Sequence, residues 1–595
     1  MHIKQMITYA LDFESYYDSE CSITTLGPRG YFSHPQFDAY MVTVVGDDGF
    51  VYAGCPRQFD WSMLDGHVLL SHNASFDESL YLYGVEVGWF SPCTPAEWHC
   101  TADMTAFLGL PRSLKNASAA VFGLEISKTT RDNMKGRQWN LMTDDFKKEV
   151  TEYAIKDSEL CLRLWQELSD GWPQTERDIS ELNRKVGQRG IPIDTTLLKK
   201  NLEQIRTELF NAEQSIPWVG DSTPLSRKAF NNQCRAQGIV PPASLAAGNE
   251  EADKWFATFQ EACPWARAVQ NYRRINALLR KLEAFDGGTM PDGRYYGGLM
   301  YCGANPTARF SGSGGNLNLQ NLPREEMFGV NFRHMIKPKD GYKLIVADLS
   351  QIEVRTLCWL AEDRKALDLI RDSDDIYHAF GVLLGLHDPA NGPLKEYDKN
   401  LRHKVKSIVL GCGYAMGAAK FSTFSGLSMG EAEKAVKLYR ERMPTVPKLW
   451  RSLDQNMATA YAVGEPFQLE LPSNRALRYG RIKRMKEAGS INRFRYIGKI
   501  VRNGQLRDFQ LWGGILTENM SQGLARDIFS DMMLRVDAAG FPVILHVHDE
   551  MVCEVPEAQA EEALAKILEI MATPPSWIPD IPVAAEGHIC DLYSK

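Results

Sequence analysis

The spacing of apolar and polar positions changes character along the chain. Ile7–Phe13, Ala39–Val45 and Val51–Ala53 are β-rich, and turn residues such as Gly46-Asp47-Asp48-Gly49 separate them. His67–Ser71 is also strand-like. Thr151–Leu168 carries apolar residues at mixed three and four spacing, which predicts a helix. Residues 1–170 therefore read as an α/β unit of single-domain size. Residues 175–285 read as mostly helical and charged, as in Leu197–Asn211 and Trp265–Phe285. Residues 305–323, NPTARFSGSGGNLNLQNLP, form a Gly/Ser/Asn loop of unusual length, the kind that is either functional or disordered. From Tyr342 an α/β pattern returns, with a strand at Leu344–Ala347, helical stretches, and a last strand pair around His548-Asp549-Glu550. No internal repeat is present.

Composition narrows the class. The chain has 595 residues, a length that suggests about three to five folding units. The 44% apolar and 24% charged shares belong to an ordinary globular protein. Its 26 Phe, 22 Tyr and 13 Trp exclude disorder for the bulk of the chain. No run approaches the roughly 20 apolar residues that span a bilayer. Met1–Leu11 holds no cleavable apolar segment. The 12 cysteines are scattered without a CxxC pair, so the expectation is a reduced cytoplasmic location, not a zinc or disulfide framework.

The net charge of −8 argues weakly against a nucleic-acid partner, but the average hides a strong polarity. Leu471–Arg507 holds 11 Lys/Arg, Arg493 among them, and one acid, Glu487. Such a stripe binds phosphates whatever the total charge. A second basic segment, 263–281, has five Lys/Arg and no acid.

Candidate chemistry clusters at both ends. Asp12 and Glu14, at i and i+2 of a strand, point to one face. Asn73-x-x-Phe76-Asp77 follows a strand, and Tyr153-x-x-x-Asp157 shares one helix face. If the fold gathers these four carboxylates, hard divalent cations are the usual neutralising partner. Two such ions about 4 Å apart would activate a water against a phosphodiester. Near the other end, Asp348 closes an apolar strand, and Ser350, Gln351, Glu353 and Arg355 enter a helix. Asp549 sits at a hairpin tip 201 residues later, so only a shared sheet can join it to Asp348. Between them, Arg402, Lys406 and Leu410 step by four, forming one slowly turning helical stripe with Tyr414 trailing. Two cations a turn apart suit a polyphosphate.

The ordered trio DxE, NxxxD and YxxxD over residues 5–170 resembles the tyrosine-type 3′→5′ proofreading exonucleases of the DEDD family. The resemblance implies a ribonuclease-H-like fold, metal ligands at Asp12, Glu14, Asp77 and Asp157, and a water-orienting Tyr153. The segments around Asp348, Arg402–Tyr414 and Asp549 resemble motifs A, B and C of family A DNA polymerases, the group of bacterial DNA polymerase I, over residues 180–595. That resemblance implies an α/β multidomain chain with a right-hand polymerase domain of palm, fingers and thumb. Its expected divisions are an exonuclease at 1–172, thumb and connecting helices at 173–325, and palm and fingers at 326–595, with fingers at 360–465.

By position, Asp348 and Asp549 are the palm metal ligands, with Glu550 and His548 flanking, and His548 near the primer end. Arg402 and Lys406 take the triphosphate. Leu410 stands where the family usually carries Phe or Tyr, facing the sugar. Tyr414 stacks near the template base, and Glu353, with Gln351 beside it, blocks a ribose 2′-hydroxyl. Tyr377 stands where many members have a triphosphate-contacting His, and His378 follows it. Thr307-Ala308-Arg309 and Leu319-Gln320-Asn321-Leu322-Pro323 are similar to the family's TGR and LQNIP loop. There Arg309 reads the minor groove, and Gln320 and Asn321 hold the backbone. Gln522 is a further minor-groove contact, and Glu518 replaces a DNA-contacting Asn. LPSNRALRY (471–479) resembles phage-encoded members.

The implied activity is template-directed DNA synthesis from dNTPs with proofreading, on template–primer DNA, in replication. It uses two Mg²⁺ per active site, with Mn²⁺ able to substitute, in a chain expected to be a monomer corresponding to the large fragment without a 5′-nuclease. The competing readings are an RNA polymerase, an exonuclease with an impaired polymerase half, and a non-catalytic DNA-binding replication protein.

Overall fold

The computed structural model describes residues 6–125, 129–246, 249–312, 317–373, 375–486 and 494–594. In the N-terminal unit, β1 (Thr8–Ser15), β2 (Ala39–Gly46), β3 (Val51–Gly54), β4 (Val68–Ser71) and β5 (Glu97–Cys100) form one sheet in the order 3-2-1-4-5. β1 pairs antiparallel with β2 and parallel with β4. The alternation in β1 decides the rest. Tyr9, Leu11 and Phe13 enter an aromatic core with Trp61 and Phe90. Ala10 faces the other way, onto Cys161 and Leu162 of helix α2 (Asp144–Leu168). Asp12 and Glu14 share Ala10's face by period two. α2 begins seven residues before the predicted Thr151, because the Thr143 hydroxyl accepts from the Phe146 amide and Asp144 and Asp145 complement the helix dipole. Helix α1 (Ala74–Glu86) lies between β4 and β5 in the chain.

Helices α3 (Gln174–Arg189), α4 (Thr195–Gln214) and α5 (Pro264–Gly288) follow. A separate small core, with Trp218, Phe230, Trp255 and Trp265, lies in 216–269. β6 (Leu299–Ala304) pairs with β7 (Arg309–Gly312). Part of the expected 305–323 loop is thus a strand, because Phe310 is buried and packs edge-on against His546, with ring centroids 4.5 Å apart. Residues 313–316 of that loop lie outside the described residues.

The C-terminal half is built on β8 (Tyr342–Leu349), which pairs antiparallel with strands on both sides. Helix α6 (Ile352–Leu360) leaves its end, and residues 354–450 hold their own core, including helix α7 (Lys399–Cys412). Five strands follow: β9 (Pro466–Glu470), β10 (Ala476–Arg481), β11 (Lys483–Lys486), β12 (Phe494–Arg502) and β13 (Gln505–Leu511). Helix α8 (Gly513–Ala538) is buried on most sides and runs through the main core, with polar residues such as Asn519, Arg526 and Asp527 buried along it. β14 (Val543–Val547), β15 (Glu550–Pro556) and β16 (Ala585–Cys590) complete the sheet in the order 14-15-8-16.

The basic stripe is not one surface. Arg475 is buried and donates to Asp527 at 2.8 Å, so it serves packing, not phosphate binding. Arg493 lies outside the described residues. No helix among the described residues is long and apolar enough to cross a membrane.

Candidate functional site

The fold gathers the N-terminal carboxylates. Asp77, on the first turns of α1, is buried and accepts from the Phe13 amide at 3.2 Å, which fixes it between Asp12 and Glu14. Tyr153 and Asp157 come from α2, the helix that Asp12 and Glu14 face. All five line one cavity of about 1230 Å³. Burial, and then repulsion from Glu14, Asp77 and Asp157, pushes the Asp12 carboxyl well above its ordinary range. Glu14 is pushed up to about 8, by burial and then by Asp157, and Asp77 to about 8 by burial. Burial and Asp157 likewise raise the Tyr153 phenol. Four hard oxygen donors that repel one another are the donor set a divalent cation satisfies. As the side chains stand, no three His, Cys, Asp or Glu groups among the described residues already close into a metal site. Arg131 was not anticipated from the sequence. It lines the same cavity and lowers both Asp12 and Glu14, and no motif or spacing in the sequence marks it.

The second site forms where β8 meets β15. Register places Asp348 opposite Glu550, and the Leu349 amide donates to the Asp549 carbonyl at 3.1 Å. The turn between β14 and β15 is tight, with His548 at φ 58°. Two acids 201 residues apart are thereby neighbours. Glu550 is buried, and its carboxylate accepts from the Tyr593 hydroxyl, with the Arg333 guanidinium 4.0 Å away. His548 keeps an exposed face, and partial desolvation of its ring, then the nearby Arg309 and Arg324, lowers its pKa.

Gln351 adopts a left-handed conformation (φ 44°) before α6. Glu353, in the first turn of α6, is ion-paired to Arg309 of β7. The Ser521 hydroxyl of α8 donates to the Glu353 carbonyl at 2.9 Å and bonds the Tyr414 hydroxyl at 3.1 Å. Gln522 donates to Glu518 at 3.3 Å, and Glu518 is raised by burial and by Glu353. Arg309 and Gln522 line the same cavity as the N-terminal acids. Lys281 donates to the Asn321 carbonyl at 3.2 Å, and Gln320 sits in the same short turn, Leu319–Asn321.

On α7, Arg402 is half-buried, while Lys406 and Leu410 are exposed along one stripe. The helix ends at Cys412, so Tyr414 lies in the turn beyond it and not on the stripe as expected. Arg402 is gripped in bidentate fashion by Asp375, at 2.8 and 3.1 Å. The Tyr377 ring lies 5.1 Å from the Arg402 guanidinium and 6.0 Å from the Lys406 ammonium. His378 instead accepts from the Leu394 amide at 3.1 Å. Tyr377 is therefore the aromatic beside the two cations. Asp375 escaped the sequence reading because it caps the Ile376–Leu383 helix and so looks like an ordinary helix start.

Residues 237–595 match a family described as DNA polymerase family A. The DNA polymerase of Bacillus phage SP02 is 25% identical over 670 residues, covering 99% of this chain and all of that protein. DNA polymerase I of Thermus filiformis is 26% identical, covering 74% of this chain and 51% of that protein. DNA polymerase I of Pseudomonas aeruginosa is 30% identical, covering 73% and 46%. The chain thus spans the whole phage relative and about half the length of these bacterial ones. Among solved structures, the POL domain of Pol1 from M. smegmatis, in complex with DNA primer-template and dNTP, superposes with a TM-score of 0.70. The two are 18% identical, with coverage of 99% of this chain and 95% of that one.

Proposed function

The chain belongs to DNA polymerase family A, and from that premise we propose that it extends a primer 3′-hydroxyl on a DNA template and edits the end it has made. The observation that carries the reading is the junction of β8 and β15, which sets Asp348 beside Asp549, with Arg309 and Glu353 close to His548 in the turn that presents Asp549. A divalent cation such as Mg²⁺ bound by these acids supplies the Lewis acidity of phosphoryl transfer.

Everything else falls to the chain's own groups. Arg402 and Lys406 pair with the triphosphate of a dNTP, Tyr377 backs them, and pyrophosphate leaves toward them as the primer oxygen joins the α-phosphorus. Leu410 lies along the sugar with less contact area than an aromatic ring would give. Tyr414, held by Ser521, supports the template base. Glu353 fills the space a 2′-hydroxyl would need. Arg309 and Gln522 donate into the minor groove, with Glu518 accepting from and orienting the Gln522 amide; Gln320 and Asn321 face the backbone, and His548 the primer end. The groove presents acceptors at similar places for all correct pairs, so these contacts test pair shape. Glu550, Tyr593 and Arg333 brace the turn that presents Asp549. A frayed end then meets Asp12, Glu14, Asp77 and Asp157, with Tyr153 orienting the attacking water. Separate cores support an N-terminal unit within 1–172 and a fingers segment near 360–465, while one main core runs from Met104 to Tyr593 through all three expected divisions. The five-stranded sheet order supports the ribonuclease-H-like reading of the first unit.

The test is primer extension with Mg²⁺ and dNTPs on matched and mismatched 3′ ends. The expected outcome is that the parent extends both, Asp549→Ala only degrades, and Asp12→Ala/Glu14→Ala stalls at mismatches. Degradation alone by the parent, in every condition, would reduce the chain to a nuclease.

A further inference from the structure

β12 and β13 form a hairpin that none of the site assignments uses. Its register runs from Tyr496↔Leu511 to Arg502↔Gln505. The two residues at its tip, Asn503 and Gly504, both have positive φ (51° and 70°). This is the type I′ geometry that keeps a two-residue hairpin rigid. The tip is anchored in the N-terminal unit, where the Asn116 amide donates to the Gly504 carbonyl at 3.1 Å. The hairpin therefore crosses from the C-terminal half to the N-terminal half.

Its two faces differ. Ile500 is buried and Phe509 half-buried in the main core; Arg502, Gln505 and Arg507 share that face by register and are exposed toward the tip, beyond the core. The outward face carries Lys499, already paired with Asp508 at 3.3 Å. Ile500, Val501, Arg502, Asn503, Gly504 and Phe509 all line the cavity that runs from Asp12 and Asp157 to Arg309 and Gln522. Lys115 and Arg131 of the N-terminal unit line it too. Arg309, Arg502, Lys115 and Arg131 thus line the same hollow as the acids Asp12, Glu14, Asp77 and Asp157. An anionic strand lying in this hollow has Arg502 and Lys115 among the cations of its walls.

We propose that this hairpin is the wall of a covered passage for single-stranded DNA, in which Arg502 and Lys115 hold the phosphates of a melted primer end on its way to the N-terminal carboxylates. The proposal rests on the reading of the two sites given above. The passage hands the strand over without release, because the anchored tip closes the side between the two units. Recognition is by charge and is independent of sequence, as for other single-strand grooves.

The experiment uses the full chain with a labelled primer carrying a 3′ mismatch, bound first and then started with Mg²⁺ in the presence of excess unlabelled DNA as a trap. It compares the parent with Arg502→Ala/Lys115→Ala and with Arg502→Lys. Binding of an oligo-dT to each protein is measured against salt, with Ca²⁺ in place of Mg²⁺. The expected result is that the double variant loses roughly tenfold in trapped mismatch excision relative to trapped extension of a matched primer. Its salt slope for oligo-dT falls by about 1.4, the share of two phosphate contacts on a single strand. Arg502→Lys keeps most of both. An unchanged ratio and slope overturn the proposal. A proportionate loss of extension and excision also overturns it, because the hairpin would then grip the duplex. If the parent digests neither single-stranded nor mismatched DNA, the assignment of the N-terminal site fails first, and the salt slope alone then decides whether the hairpin binds a strand.

Discussion

The helix α8 is fastened to α3 by a buried ion cluster, and removing its central cation predicts a specific pattern of stability loss. Arg526, 2% exposed in its side chain, lies 2.5 Å from Glu176 and 3.3 Å from Asp527. Asp527 has other donors, Arg475 at 2.8 Å and the Ser473 hydroxyl at 2.5 Å. Among the described residues, the Glu176 carboxylate accepts side-chain hydrogen bonds from the Tyr301 hydroxyl and Arg526, with Arg475 acting on it only through its charge. Arg526→Met therefore strands Glu176 far more than Asp527. A buried charge left without its partner costs about 3–5 kcal/mol. Glu176→Gln keeps an acceptor for Arg526 and leaves that guanidinium with Asp527, so its cost is that of one charged hydrogen bond, about 1.5–3 kcal/mol. The double variant strands no charge and is expected to lose less than the sum of the single losses, with a coupling of about 2 kcal/mol. Burial opposes ionisation of Glu176, but Arg526 and Arg475 outweigh it and hold its carboxyl below the ordinary value of 4.5. The contribution is therefore present above the unfolded pKa and is lost as pH falls through the lower folded one. Urea unfolding followed by tryptophan fluorescence at pH 7.5 measures all three variants, and repeating it at pH 6 and 9 should give the same differences. Additive losses, or an Arg526→Met loss below about 1 kcal/mol, would refute the reasoning, since both would mean that Glu176 is already solvated.

Three further outcomes are expected. In EDTA at pH 8, Asp77→Asn melts above the parent. Burial pushes Asp77, and burial with Asp157 pushes Glu14, up to about 8, so the folded chain keeps protons that the unfolded chain loses above about pH 4, and stability falls as pH rises through that window. The gain vanishes toward pH 4, and Mg²⁺ raises the melting point of the parent much more than that of the variant, both read by scanning fluorimetry; equal melting at pH 8 contradicts it. Lys406→Ala raises the dNTP concentration for half-maximal insertion by roughly ten- to a hundredfold and slows single-turnover chemistry, as loss of a charged contact implies; unchanged kinetics would remove Lys406 from the triphosphate. Glu353→Ala lowers the preference for dNTP over rNTP by at least about tenfold in paired insertion assays, the effect of opening a space that excluded one hydroxyl; an unaltered ratio would assign the exclusion elsewhere.

What could be read from the sequence was what chemistry and short-range periodicity impose. Asp12 with Glu14, and Tyr153 with Asp157, are spaced by the strand and helix periods that put each pair on one face, so their convergence needed only the fold. Asp348 and Asp549 were legible because each ends an apolar strand. Residues whose meaning depends on a distant partner were not. Arg475 looked like a phosphate ligand until Asp527, 52 residues on, claimed it. Arg131 has no local signal, and the inward face of the β12–β13 hairpin is defined only by the N-terminal unit it leans on. Tyr414 fell off its helix because the helix stops two residues earlier.

The same limit explains the most informative difference at the polymerase site. The family resemblance implies phosphate contact for Arg402 and minor-groove contact for Arg309, yet each guanidinium is held by a carboxylate of its own chain, Asp375 and Glu353. The side chains of the first pair are 30% and 24% exposed and those of the second 32% and 31%, so water still reaches both. Ion pairs this wet are worth about 0–1 kcal/mol. That is too little to compete with a triphosphate, whose charge-assisted bonds to Arg are about twice as strong as neutral ones. It is enough to hold a long, flexible side chain in one place, sparing the substrate part of the ordering entropy that binding otherwise costs. If the proposed reading of this site holds, Asp375 and Glu353 stand in for the anionic and hydrogen-bonding groups of the substrates and keep Arg402 and Arg309 oriented in their absence.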